Sequence, residues 1–164
     1  MTMRITYYIG VPGTGKTTLM RGILAEYSKV EEPEFVKEGY VTYHKFAKQK
    51  VIILGRYDEG TFAGTDTWAK SAGPKFRQWV IDNAERYADW GVFGEGERLS
   101  NNPTLDHLFE HCQVNLVCLK VSEEELQRRR DARNNTQDPK WMKGMQTRIE
   151  NLCAKYPHTV EVLE

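Results

Sequence analysis

Gly10-Val11-Pro12-Gly13-Thr14-Gly15-Lys16-Thr17 follows a β-prone run, Met3–Ile9, and opens a segment, Thr17–Tyr27, with Leu19, Ile23 and Leu24 at helical spacing. The octet has the phosphate-loop spacing: Gly, four residues, Gly-Lys, then Ser or Thr. Each position answers a chemical need. Glycines let successive N–H groups turn inward to form a nest for an anion. Lys16 is placed to reach the β- and γ-phosphates, and the Thr17 hydroxyl to ligate Mg²⁺. A helix beginning at the loop points its positive end at the same phosphates. Gly10 to Thr17, with Thr18 behind them, are therefore the candidate nucleotide-binding residues, and ATP with Mg²⁺ the expected cofactors. The bland alternative is a glycine-rich strand–helix turn that binds nothing; the strand and helix on either side argue against it.

The composition suits such a domain. The 164 residues carry 40% hydrophobic and 28% charged side chains, enough for one core. Lys plus Arg equals Asp plus Glu at 23 each, so net charge does not announce a polyanionic partner, although a local basic face can hide in that total. No apolar run approaches the ~20 residues that span a bilayer, and the first strand begins almost at Met1, leaving no room for a leader. Cys112, Cys118 and Cys153 are odd in number and lack metal-ligand spacing, so they read as reduced thiols of a cytoplasmic protein.

Along the chain, Glu31-Glu32-Pro33-Glu34 reads as an acidic connection. Gly39–Phe46 and Val51–Leu54 read as a hairpin ending in a buried strand. The long loop Gly55–Gly73 is rich in aromatic residues, which argues for function over disorder. Pro74 fits the first turn of a helix reaching about Ala88. Trp90–Gly94 and Val114–Val121 read as buried strands, Pro103–His111 as a helix, and Ser122 with Glu125 as a capping box for a helix through Arg133. Asn134–Pro139 interrupts, Trp141–Ala154 resumes, and His158–Leu163 is a last strand. This alternation implies an α/β three-layer fold over residues 1–164, with a central, mainly parallel, five-stranded sheet and an arginine-rich lid at about 128–144. Ligands then belong at the carboxyl ends of the strands. The phosphate loop, the 55–73 loop and Glu95–Arg98 all lie on that rim.

Two further features carry charge. Glu95 sits just past a buried strand, where phosphate-loop proteins place the acid that orients Mg²⁺ or its water. Arg128-Arg129-Arg130-Asp131-Ala132-Arg133 is followed by Gln137, Lys140, Lys143 and Arg148. Arg129 and Arg133 share a helix face and can bind the equatorial oxygens of a transferring phosphoryl group; a solvated basic face is the ordinary alternative. His107 and His111 lie four apart, but no third ligand is near in sequence, so they read as surface histidines.

A small phosphate-loop domain with an arginine-bearing segment before its last helix resembles the nucleoside-monophosphate-kinase superfamily. Within it, the stretches Gly55-Arg56-Tyr57, Phe62–Asp66, Gly94–Leu99, Asn135–Gln137, Trp141–Gly144 and Thr147 resemble phage kinases, the 5-hydroxymethyluracil DNA kinases among them. The resemblance covers most of the chain, though only the phosphate loop is specific by itself. The chain departs from the pattern at Trp68-Ala69 and Met145, where Arg-Leu and Arg are expected. The resemblance implies transfer of phosphate from ATP to the base hydroxymethyl group within modified DNA, with partner modification enzymes acting beside it. It makes Asp66 the candidate to contact or deprotonate the acceptor hydroxyl, with Asp58 the rival. Arg98 becomes a phosphoryl clamp, or else pairs with Glu95 or Glu97. Gly64 and Thr65 shape the acceptor floor, while Tyr57, Phe62 and Trp68 stack a base unless they pack in the core. Gln137 and Lys143 complete the acceptor set. A kinase of a free nucleotide or other small molecule is the competing reading. An NTP-hydrolysing switch is a third, disfavoured because no Asn-Lys-x-Asp stretch is present.

Overall fold

The computed structural model describes residues 2–11, 14–57, 63–132 and 139–162. The run before the phosphate loop forms β1 (Arg4–Ile9), and α1 (Lys16–Ser28) follows it. Next come β2 (Glu34–Glu38), β3 (Val41–Phe46), β4 (Val51–Leu54) and α2 (Ala72–Asp82). Then β5 (Gly91–Glu95), α3 (Asn102–His111), β6 (Gln113–Lys120), α4 (Glu123–Ala132), α5 (Pro139–Ala154) and β7 (Thr159–Val162) complete the order. Single 3-10 turns occupy Thr65–Thr67 and Glu97–Leu99.

The sheet runs β2-β3-β4-β5-β1-β6-β7. Its strands β4, β5, β1, β6 and β7 are parallel to their neighbours, whereas β2 and β3 join as antiparallel additions. The expected five-stranded sheet is thus corrected to a seven-stranded mixed one. The two strands beyond the five parallel ones are β3, the first strand of the expected hairpin, and at the edge β2, which begins at Glu34, inside the stretch read as a connection. It alternates poorly because it is an edge strand, with charged Glu34 and Lys37 beside half-buried Phe35 and Val36.

Alternation along the parallel strands divides the core between two faces. Ile5, Tyr7, Ile9, Leu116 and Cys118 pack with residues of α2, α3 and α5, including Phe76, Leu105 and Ile149. Tyr8, Val117 and Leu119 belong to the cluster on the other face, where α1 buries Met20 against Phe46 and Ile53. Helices on both faces make the three layers expected from the alternating pattern. The Asn101 side chain caps α3 by accepting from Thr104 N at 3.0 Å, and Ser122 Oγ accepts from Glu125 N at 3.2 Å at the head of α4.

One cysteine expectation is corrected. Cys118 on β6 and Cys153 on α5 form a disulfide, and Cys112 remains free. The two partners are 35 residues apart and meet only because α5 folds back over β6. No helix among the described residues is long and apolar enough to cross a membrane.

Candidate active site

β1 ends where the phosphate loop begins, and the loop is held by its own short bonds. Thr14 donates both its N–H and its hydroxyl to Val11 O, at 3.2 and 2.9 Å. Gly15, at φ 94°, occupies the left-handed region at the N-cap of α1, which only glycine enters without strain. Lys16 donates its ammonium to Gly10 O and to Val11 O, the latter at 3.3 Å. Burial lowers its pKa, while Glu95, Glu97 and Asp66 pull it back up. Thr18 is exposed on the first turn of α1; Pro12 and Gly13 lie outside the described residues.

Parallel pairing sets Tyr8 of β1 against Glu95 at the end of β5, so the phosphate loop and Glu95 share one rim. Glu95 is only 2% exposed. One of its carboxylate oxygens accepts from Tyr57 OH at 2.9 Å and from Thr17 Oγ1 at 3.4 Å. Burial raises the Glu95 pKa, opposed by the Tyr57 hydrogen bond and by Lys16. A buried carboxylate beside the phosphate-loop hydroxyl is a hard oxygen donor set that fits Mg²⁺. Among the described residues no group of three His, Cys, Asp or Glu forms a metal cluster.

The acceptor side is built against the same strand end. Thr65, fully buried, donates to Glu95 O at 2.9 Å, and Asp66 Oδ1 accepts from Glu97 N at 2.9 Å. Gly64 bonds back to Arg56 O at 2.9 Å, closing the base of the 55–73 loop. Tyr7 and Ser100 both donate to Gly96 O, at 2.5 and 2.7 Å, which fixes the turn carrying Glu97 and Arg98. Lys16, Thr17, Glu95, Thr65 and Asp66, spread over three separate elements, thus converge on one rim.

Other candidates are placed differently. Tyr57, 6% exposed, spends its hydroxyl on Glu95, and burial raises its pKa. Trp68 is 4% exposed, donates to Thr42 Oγ1 at 2.9 Å and packs on Phe76. Of the two alternatives for these rings, base stacking or core packing, both take the packed place, and they position the loop. Arg98 donates Nε to Trp68 O at 3.1 Å. It does not pair with Glu97, which instead meets Arg148 at 2.9 Å. Arg148 also donates to Ser100 O at 2.6 Å, a link that the sequence offered only as one more cation in a basic run. Lys143 is exposed on α5. Arg128 pairs with Glu125 on the surface of α4. Asp58, Phe62, Arg133 and Gln137 lie outside the described residues, as does the side chain of Arg129.

A phosphate loop between β1 and α1, with a buried acid at the end of the neighbouring parallel strand, defines a phosphate-loop nucleotide-binding architecture. The family model described as P-loop Nucleotide Kinase3 matches residues 1–161, and the chain belongs to that family. No curated protein matches the chain significantly.

Proposed function

We propose that this kinase transfers the γ-phosphoryl group of ATP to the hydroxymethyl group of 5-hydroxymethyluracil in DNA. The observation that carries the reading is Asp66, a carboxylate fixed by Glu97 N on the same rim as Lys16 and Glu95. An alcohol must lose its proton as it attacks phosphorus, and Asp66 is the group positioned to take it. Lys16 exchanges its two carbonyl acceptors for phosphate oxygens and follows the charge that develops on them. Thr17 Oγ1 and the Glu95 carboxylate are the residues that would hold Mg²⁺, which would supply neutralisation of phosphate charge. Tyr57 keeps the Glu95 carboxylate oriented. Support for the acceptor comes from the stretches Gly55-Arg56-Tyr57, Phe62–Asp66 and Gly94–Leu99. A base inside a duplex must first be extruded or presented single-stranded.

The family description favours a second reading, a free nucleotide as acceptor. γ-labelled ATP, offered with hydroxymethyluracil DNA, the same DNA carrying thymine, and a panel of nucleoside monophosphates, separates the two. Label is expected on the modified DNA alone. Labelled monophosphates with the modified DNA untouched would replace the DNA reading by the nucleotide one.

A further inference from the structure

An open groove of about 570 Å³ lies between the first turn of α3 and the outer face of α5. Asn101, Asn102, Thr147, Arg148, Asn151 and Lys155 line it, and no Asp or Glu is among the described lining residues. Glu97, at its inner end, is neutralised by Arg148. Arg148 and, just past the end of α5, Lys155 are exposed at the groove, while Lys143 and Glu150 are exposed to either side of it. Neither Lys155 nor the Asn151 amide has a side-chain partner among the described residues. Gly144 opens the centre, since a Cβ there would meet nothing within 4 Å. Trp141, 45% exposed, stands one turn before Met145 and two before Arg148 as a ring free to stack a base.

The groove is continuous with the acceptor side of the active site. Arg148 reaches Ser100 O and the Glu97 carboxylate, and Glu97 N binds Asp66. A neutral protein has thus placed Arg148, Lys155 and neutral hydrogen-bonding groups along a channel leading away from its candidate base, and the carboxylate at the channel's inner end, Glu97, is paired with Arg148. Arg148 and Lys155 are separated by about two helical turns, roughly 10 Å, a span that exceeds one nucleotide step and suits phosphates two nucleotides apart along a strand.

We infer that this groove carries the single DNA strand flanking the acceptor base, with its phosphates on Arg148 and Lys155. The inference rests on the DNA reading above, and it adds a surface that a free-nucleotide kinase has no need of. The test is fluorescence anisotropy with a dye-labelled single-stranded oligodeoxynucleotide containing one 5-hydroxymethyluracil, titrated at several KCl concentrations. The same oligonucleotide is assayed for label from γ-labelled ATP. Lys155→Ala is expected to weaken binding several-fold and to make the slope of log Kd against log salt shallower by about 0.7. Asn151→Lys adds a cation to the groove and is expected to tighten binding and steepen the slope by a similar amount, a gain that misfolding cannot imitate. If the wild type labels the DNA while both variants bind it unchanged, the groove is overturned and the DNA reading stands. If both variants shift as expected and no label appears, the groove stands as a DNA surface and the acceptor reading falls. A wild type that neither binds nor labels the oligonucleotide overturns both.

Discussion

Lys16 holds its ammonium against the carbonyl oxygens of Gly10 and Val11, two acceptors that phosphate oxygens replace when a nucleotide enters. Lys16→Ala removes the cation that tracks the transferring charge. It is expected to lower kcat by about two to three orders of magnitude, with the thermal midpoint little changed because the side chain supports only the loop. Steady-state transfer assays beside circular dichroism check both halves. Asp66 is the complementary case. Asp66→Asn keeps the size of the side chain and an oxygen to accept from Glu97 N, but it cannot take a proton at neutral pH. ATP binding by calorimetry is expected to survive, while transfer falls by about 10²–10⁴. Retained transfer would leave Asp66 as a turn residue whose only task is to bind Glu97 N.

At the scale of elements, the loop after β4 is shaped by a close backbone approach. Gly55 sits at φ 87°, and a methyl group there would lie 2.1 Å from the Gly64 carbonyl. Gly55→Ala is therefore expected to cost about 1–3 kcal/mol or more and to raise the acceptor KM, because Gly64 leads directly into Thr65 and Asp66. Urea denaturation and acceptor titration read the two effects. The hairpin edge has a different anchor. Glu38 of β2 accepts from Tyr43 OH, from Trp79 Nε1 at 3.3 Å and from Arg86 at 3.0 Å. Burial alone would raise its pKa, yet those hydrogen bonds outweigh it and the pKa lies below its ordinary 4.5. A folded-state pKa below the unfolded value adds stability above the unfolded pKa and loses it as pH falls through the folded one. Glu38→Gln is accordingly expected to be about 1–3 kcal/mol less stable than wild type at pH 7. The gap should narrow below about pH 4, as denaturation series at the two pH values will show.

Across the whole molecule, what the sequence revealed depended on how local each signal was. The phosphate loop, β4 and the capping box of α4 are written in consecutive residues, so spacing and apolar runs disclosed them. Glu95 and Asp66 could be named as candidates from their loops, but their convergence on the phosphate loop depends on β5 lying between β4 and β1, a long-range pairing. Tyr57 and Trp68 show the converse: aromatic residues in a loop advertise contact with something, and only packing decides whether that something is a ligand or the core. The disulfide was the least legible feature, because Cys118 and Cys153 are brought together by the return of α5 over the sheet. It also yields a prediction at this scale. The bond closes a 35-residue span that contains α4 and most of α5. By the loop-closure model such a cross-link stabilises the native state by about 3–4 kcal/mol, chiefly by restricting the unfolded chain. Oxidised protein is expected to unfold at a higher urea concentration than the same protein in dithiothreitol. Cys153→Ser should match the reduced form and lose its sensitivity to reductant. Cys112→Ser should keep the full difference, because Cys112 stands outside the bond. If wild type and Cys153→Ser unfold together under oxidising conditions, the bond contributes nothing to stability, and α5 is held on β6 by Ile149 and Leu152 packing alone.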